Sequence, residues 1–413
     1  KRYWRLDFSK KLNLSEKEWM KVIEEKLKEA VKIRLRSDVP LGAHLSGGTD
    51  SSTIVAFMAL QMKEPVKTFS VGFKESKYNE LPFARMVAQR YKTEHTEIIV
   101  EPKMIEILPK LVYQYEEPYA DSSALPTWYL CQETKKYVTV ALNGDGGDEN
   151  FAGYDRYSAF KLYLKFKFLP GKKIFQKLSN FLWQKTKIPI FRKAWRFFSA
   201  YQGKPISFYL RLIGYFQEEE KKEIYDEKLL ELIQESRKEK FLEEIFEEGK
   251  NFSKMDQIFY TDINSYLPDD LLVKVDIASM THSLEVRSPF LDYEFMELCA
   301  KIPEDLKIKG FNKKYIFKKL IQKYLPKECI FRPKMGFGVP LDDWFKGELE
   351  NYLRENLLEK NFLNFGFKKE GIEKLISEHK KGIKNTSYKI WALLILKFWL
   401  EIFFKNYKEK NEN

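Results

Sequence analysis

The sequence predicts an α/β protein: a doubly wound, mainly parallel sheet with an added, largely helical C-terminal part. Three observations predict it. Four short apolar runs, at 41–45, 67–73, 96–100 and 137–142, are separated by helical stretches of about ten to twenty residues, the alternation that builds a parallel sheet covered on both faces. The first run opens directly into a glycine-rich turn and then a helical pattern. From residue 157 onward, charged and aromatic helical segments replace the strand signals.

At 413 residues the chain has length for two or three domains. Residues 1–36 read as a linker and lead-in helix: YWRLDF is followed by a charged helical pattern running from Ser15, an N-cap, to about Arg36. Residues 37–156 read as the α/β core, and 157–413 as a helical insertion and C-terminal helical part. In a doubly wound sheet, ligands lie beyond the carboxyl ends of the strands. The motifs that follow the first and fourth apolar runs should therefore face one crevice.

The first motif is LSGGTDSS, residues 45–52. Gly47 and Gly48 allow backbone conformations and close approaches closed to other residues. The amides of the helix beginning near Ser51 would point at an anion, with the helix dipole favouring negative charge. Ser46, Thr49, Ser51 and Ser52 add hydroxyl groups. The loop lacks the GxxxxGK[ST] spacing of a Walker A motif and carries Asp50 where a lysine would be needed. A carboxylate beside a polyphosphate fits a Mg2+ ion between them. A glycine turn with a solvent-facing aspartate is the plain alternative.

The second motif is NGDGGDENFAGYDRY, residues 143–157, where Asp145, Asp148 and Glu149 crowd a glycine-rich turn. Carboxylates packed this closely need a counter-cation or raised pKa values, the alternative being an acidic surface turn. From Arg156 to Gln217 there is no acidic residue, and fourteen Lys and Arg are spread among aromatics. This segment accounts for the formal net charge of +12. A basic patch can meet RNA, an anionic membrane or an acidic partner, although a solvated helical face is the commoner outcome. Glu218 to Lys250 reads as solvated helix faces.

Two further blocks follow. Residues 267–295 combine Asp269, Asp270, Asp276, Glu285, Arg287 and Asp292 with an apolar framework. Residues 331–347 place Lys334 between Pro333 and a Gly336, Gly338 loop. A lone loop lysine is ordinarily solvated, so the residues alone leave its role open. The Trp- and Phe-rich end, 387–404, reads as a core-packing amphipathic helix.

Composition narrows the classes. Three distant cysteines predict a reducing, cytoplasmic setting without a disulfide framework, and four histidines without HxxxH spacing argue against a histidine-built metal site. The apolar run at 390–396 falls far short of the ~20 residues of a membrane-spanning helix.

SGGTDSS resembles the SGGxDS pyrophosphate loop of the N-type ATP pyrophosphatases, and four blocks in order, LSGGTDSS, FSVGF, NGDGGDENFAGY and the pair SLEVRSPFLD with RPKMGFG, resemble the synthetase domain of asparagine synthetases. The resemblance implies an adenine nucleotide alpha hydrolase-like fold and an AMP-forming ligase that uses ATP and Mg2+. A carboxylate substrate, aspartate foremost, would attack the α-phosphate, and ammonia would then displace AMP. It implies pyrophosphate contacts at Ser46, Gly47, Gly48, Asp50, Ser51 and Ser52, and adenine contacts at Val71 and Gly144. Asp50 and Asp148 would be magnesium carboxylates. Lys334 would be the cation of adenylate formation, and Asp145 a general base for ammonia. A glutaminase domain or subunit, preceding Lys1 or separate, is the implied nitrogen source, and a homodimer is an open partner state.

Three departures matter. GDGGDE stands where the best-understood asparagine synthetases read more like GEGSDE, and the short form GDGGDE is also found in relatives that amidate other carboxylates, including sugars and peptides. His44 replaces a usual apolar residue and is expected to be a satisfied strand residue. Ile277 follows Asp276 where a basic residue is common, which would remove a cation from the acceptor side. Two rivals remain at this point. One is a tRNA-modifying ATP pyrophosphatase that grips RNA through the basic segment, although the lack of paired cysteines or a zinc site counts against the thiolating kind and a nucleic-acid partner is not the leading expectation. The other is a non-catalytic nucleotide-binding relative.

Overall fold

The computed structural model describes residues 3–166, 171–186, 188–201, 204–235, 238–332 and 338–405. Five parallel strands, β1 (Leu41–His44), β2 (Lys67–Phe73), β3 (Glu94–Val100), β4 (Val140–Leu142) and β5 (Glu285–Arg287), form one sheet in the order β3-β2-β1-β4-β5. From β1 the chain adds β2 and β3 on one side and β4 and β5 on the other. The carboxyl ends of β1 and β4 therefore sit at the topological switch point, where a crevice opens.

The α/β expectation holds, with differences at element ends that have local causes. The fourth apolar run gives strand only over Val140–Leu142, because the N–H groups of Tyr137 and Val138 both bond back to the Thr134 carbonyl and finish the preceding helix. β3 begins at Glu94, two residues before the apolar run, since pairing with β2 extends to Lys67. β1 stops at His44, one residue short of the run. Only three residues long, β5 carries no periodic signal and comes from the C-terminal part, yet it completes the sheet beside β4.

The helices that cover the sheet have legible reasons. In α1 (Glu16–Arg34), Ser15 and Glu18 form a reciprocal capping box. The buried side chains of α1, Trp19, Ile23, Leu27, Ala30 and Val31, recur at helical spacing. They join α2 (Thr49–Ala59), α3 (Leu81–Tyr91) and the helix Tyr315–Ile321 in a core on one sheet face, which receives Ala43 and Leu45. The other face receives Phe69, Val71 and Phe73 of β2 and is covered by α4 (Leu108–Tyr115), α5 (Ala124–Lys135) and the helix Ser387–Trp399. That last helix buries Trp391, Leu394 and Ile395 completely, as its composition suggests, and continues as a wider turn over Leu400–Lys405.

After α6 (Gly147–Phe151), a third, aromatic core binds the helical layer to this framework through α7 (Asp155–Phe166), α9 (Pro189–Ala200), α10 (Pro205–Ile213) and the helix Lys254–Ile263, while α8 (Lys172–Thr186) lies outside it against α9. Its polar centre is Asp262, which is 1% exposed. The Arg156 guanidinium donates to its carboxylate at 2.9 and 3.1 Å, and the hydroxyls of Tyr157 and Tyr209 donate as well. Arg156 also lies over the rings of Tyr154 and Tyr266, 3.9 and 4.2 Å from their centroids. One carboxylate thus joins α7, α10 and the helix Lys254–Ile263. Replacing it leaves a buried cation and two buried hydroxyls without their acceptor. Asp262→Ala is expected to lower the urea unfolding free energy by roughly 3–5 kcal/mol. A loss under about 1 kcal/mol, as for an exposed pair, would contradict this role.

Candidate active site

Beyond β1, β2 and β4 lies a cavity of about 850 Å³, a size that suits a nucleotide with a second small substrate. The loop after β1 folds as its glycines require. Gly47 has φ +71°, and a Cβ there would fall 2.5 Å from the Ala84 nitrogen. Gly48 is the N-cap of α2, with no side-chain cap, the arrangement that suits an anion at a helix N-terminus. Ser46 and Ser51 bond each other through their hydroxyls at 2.9 Å, and the Ser46 N–H donates to Ser51 Oγ at 3.1 Å. Both line the cavity with Gly48, Thr49 and Asp50. Ser52 is fully buried behind the loop and does not line the cavity; Gly47 shapes the turn from behind.

The loop after β4 packs against this turn because it has no side chains in the way. A Cβ on Gly144 would sit 2.6 Å from the Ser51 nitrogen, one on Gly147 2.6 Å from the Asp50 carboxyl carbon, and one on Gly153 1.8 Å from Asp148 Oδ1. These absences let Asp50 on α2 and Asp148 on α6 approach a common point. At that point stands Lys314, whose ammonium contacts Asp148 Oδ1 at 2.7 Å and also the Asp50 carboxylate. Burial works against its charge, but the two carboxylates prevail and hold its pKa above the ordinary lysine value. Nothing in the sequence singles Lys314 out: in NKKYIFKK it is one of four lysines around apolar residues.

Among the described residues no group of three or more His, Cys, Asp or Glu could hold a metal alone. Two carboxylates converging on one point fit Mg2+ as it is bound with substrate phosphates, one or two protein carboxylates completing a shell of phosphate and water oxygens. Val71 and Gly144 line the cavity at the ends of β2 and β4, together with Leu45 and Phe69.

Asp145 lies deeper. Burial raises its pKa, the charges of Asp148 and Asp50 add to the rise, and Lys274 with the Asn143 amide opposes it. The geometry is relayed from β5: the Ser288 hydroxyl donates to Asn143 Oδ1, and Asn143 Nδ2 donates to Asp145 Oδ2. Beside it, Lys274 is a second buried cation that sequence reasoning missed, its ammonium 2.9 Å from both Asp121 Oδ2 and Ser123 Oγ. Its only signal is a lysine inside the apolar run LLVKV. Burial opposes the Asp121 charge, but Lys274 and the Ser123 N–H and O–H keep its pKa below the usual carboxylate value. Asp121, Ser123, Lys274 and Asp145 form one end of the cavity, with Tyr154, Tyr215, Tyr266 and Tyr388 on its walls.

The other charged residues of the 267–295 block are structural. The Arg287 guanidinium donates to the carbonyls of Arg34 and Arg36 at 2.8 and 2.7 Å, Asp292 caps the helix Tyr293–Ala300, and Asp270 accepts from the Tyr119 hydroxyl at 2.8 Å. Asp269 and Asp276 are exposed, and Glu285 pairs with Arg287 at the surface. Ile277 packs against the Tyr115, Tyr119 and Trp128 cluster and does not line the cavity. His44 is held as expected, its Nε2 3.3 Å from Thr134 Oγ1. Lys334 lies outside the described residues. The segment before it ends at Arg332, which lines the cavity beside Gly48 and pairs with Glu80 at 2.7 Å.

A family model described as asparagine synthase matches residues 22–401. Among similar proteins, asparagine synthetase [glutamine-hydrolyzing] 1 of Bacillus subtilis is 32% identical over 97% of this chain and 62% of its own length. A putative asparagine synthetase [glutamine-hydrolyzing] of Mycobacterium bovis is 28% identical over 91% of this chain and 57% of its own length. Amidase chyE of Penicillium rubens is 25% identical over 94% of this chain and 63% of its own length. The chain thus spans about three fifths of the length of these relatives.

Burial depresses the His44 pKa to about 4, against 6.5 for an ordinary imidazole. The unfolded chain therefore binds the extra proton first as the pH falls, and stability present above the ordinary value is lost as the pH drops through this window. Between about pH 7 and pH 5, the urea midpoint of the native protein is expected to fall further than that of His44→Leu. Equal falls would contradict the buried, neutral imidazole.

Proposed function

We propose that this chain, which belongs to the asparagine synthase family, catalyses ATP-dependent, AMP-forming amide synthesis, with aspartate as the carboxylate and ammonia as the nitrogen donor. The observation that carries the reading is the convergence of Asp50, Asp148 and Lys314 on one point beside the glycine-rich loop, in the same cavity as the half-buried Asp145.

The residues have separable tasks. Ser46, Gly48, Ser51 and the first turn of α2 seat the β- and γ-phosphates, while Val71 and Gly144 bound the adenine at the strand ends. Mg2+, which Asp50 and Asp148 would hold together with phosphate oxygens, supplies charge neutralisation to the departing pyrophosphate. Lys314 pairs with both carboxylates and places a fixed ammonium beside the phosphates, where a preorganised charge in a partly dry site acts most strongly. The cavity holds the acceptor between this point and Lys274, so that its carboxylate oxygen attacks the α-phosphate in line and pyrophosphate leaves. In the β-aspartyl-AMP that results, the acyl carbon faces Asp145.

Ammonium is the form present in water, so a base must take a proton before or during attack on the acyl carbon. Asp145, its pKa raised by burial, is placed for that transfer, and AMP departs as the amide forms. Lys334 is assigned the second cation of adenylate formation from its place in RPKMGFG. The longer relatives carry glutamine-hydrolyzing in their names. A glutaminase domain or subunit is accordingly the proposed source of ammonia in the cell, and free ammonium can replace it in the test tube.

With ATP, magnesium and ammonium, the chain is expected to release AMP, pyrophosphate and asparagine in equal amounts when aspartate is added. Asp50→Ala, Asp148→Ala and Lys314→Met should each lower AMP release by roughly a hundredfold or more with an unchanged circular dichroism spectrum. AMP release that depends on another carboxylate would keep the ligase chemistry and reject aspartate. Undiminished activity in all three variants would reject the phosphate-site assignment.

A further inference from the structure

The basic aromatic segment is not consumed by the catalytic site. Within it, α8 and α9 form a helical hairpin whose members pack chiefly on each other. Phe175 stacks on Phe198 with centroids 5.5 Å apart, and Gln176 Nε2 donates to Ser199 Oγ at 3.1 Å. The base of α9 is fastened to the aromatic core by the buried side chains of Phe197 and Ala200.

The outward surface is unusual for a protein facing water. Ile174, Leu178 and Phe181 follow one another at spacings of four and three residues, which puts them on one face of α8. They are 70%, 51% and 61% exposed, and Ile190 of α9 is 62% exposed. Isolated exposed apolar residues need no explanation, but an aligned row of large ones does. The same hairpin exposes Lys173, Lys177 and Lys185 on α8 and Arg192, Lys193 and Arg196 on α9. No acidic residue occurs between Arg156 and Gln217 to neutralise them.

We propose that the α8–α9 hairpin is a docking surface for an anionic lipid bilayer, lying in the headgroup region with the Ile174, Leu178 and Phe181 row inserted and the lysines and arginines on lipid phosphates. Two features select this occupant. Polyanionic RNA would satisfy the cations but gives no reason for a row of exposed aliphatic side chains. A bilayer interface satisfies both at once, taking apolar side chains into the acyl boundary and basic ones among the headgroups. Among the described residues no helix is long and apolar enough to cross a membrane, so the association would be peripheral. Lys193 of the same hairpin lines the catalytic cavity, which brings the cavity close to the docked surface.

The full chain is tested by co-sedimentation with phosphatidylcholine vesicles, with and without phosphatidylglycerol at about a third of the lipid. Binding is expected only with the anionic vesicles. The double variant Ile174→Asp with Phe181→Asp, and separately Lys173→Glu with Lys177→Glu, should each weaken it by roughly tenfold or more. AMP formation without vesicles should be unchanged in both, which shows that they fold. A native chain that stays in the supernatant with anionic vesicles overturns the proposal. So does binding that the charge reversals weaken and the aspartates do not, the pattern of a purely polyanion-binding surface. A native dimer that the aspartates split would assign the row to a second copy of the chain and overturn it as well.

Discussion

Two carboxylates aimed at one buried point are the constraint on which the site depends. Asp50 and Asp148 come from different helices, α2 and α6, and share the ammonium of Lys314, itself almost fully buried. Like charges brought together repel unless a cation stands between them. Lys314 supplies one from within the fold. The pair is therefore aimed at one point before any substrate arrives, the preorganisation on which electrostatic catalysis rests. The glycines of both loops are the steric counterpart of this charge arrangement. Gly144, Gly147 and Gly153 each stand where a Cβ would collide with the α2 terminus or with one of the carboxylates.

The wider architecture serves the same end. The switch in strand order places the loops after β1 and β4 side by side. β5 fastens the second of them through Ser288 and Asn143, so a three-residue strand reaches Asp145 by two hydrogen bonds. On the helical side, the Asp262 hub holds Arg156 against Tyr154 and Tyr266, which wall the cavity. Tyr154 in turn donates to Glu149, so Glu149, the third carboxylate of the motif, belongs to the bracing of α6.

The features legible in the sequence were those with local causes. Glycine spacing revealed both loops, because positive φ and close backbone approach admit few other residues; apolar runs revealed four of five strands, three of them buried in the sheet interior and the fourth, β3, half-buried at its edge. Ser15 announced α1 as its N-cap, and in the fold Glu18 completes the capping box. Lys314 and Lys274 were not legible, since a lysine's role depends on which distant carboxylates surround it, and those are brought together only by the fold. The charged residues of the 267–295 block stand out in the sequence without a readable role, and in the fold Arg287 and Asp292 serve carbonyl groups and a helix terminus.

The central claim is that the acceptor carboxylate itself attacks the α-phosphate of ATP at the site framed by Asp50, Asp148 and Lys314. It is tested most directly by giving the chain aspartate whose side-chain carboxylate carries a heavy-oxygen label, with ATP, magnesium and ammonium, and analysing the nucleotide by mass spectrometry. The account predicts that each AMP formed carries a single labelled oxygen, transferred when the acyl-adenylate is split by ammonia. With both carboxylate oxygens labelled, one stays in the amide in any case; unlabelled AMP formed alongside asparagine, with the departing labelled oxygen found in pyrophosphate, inorganic phosphate or water, would contradict it.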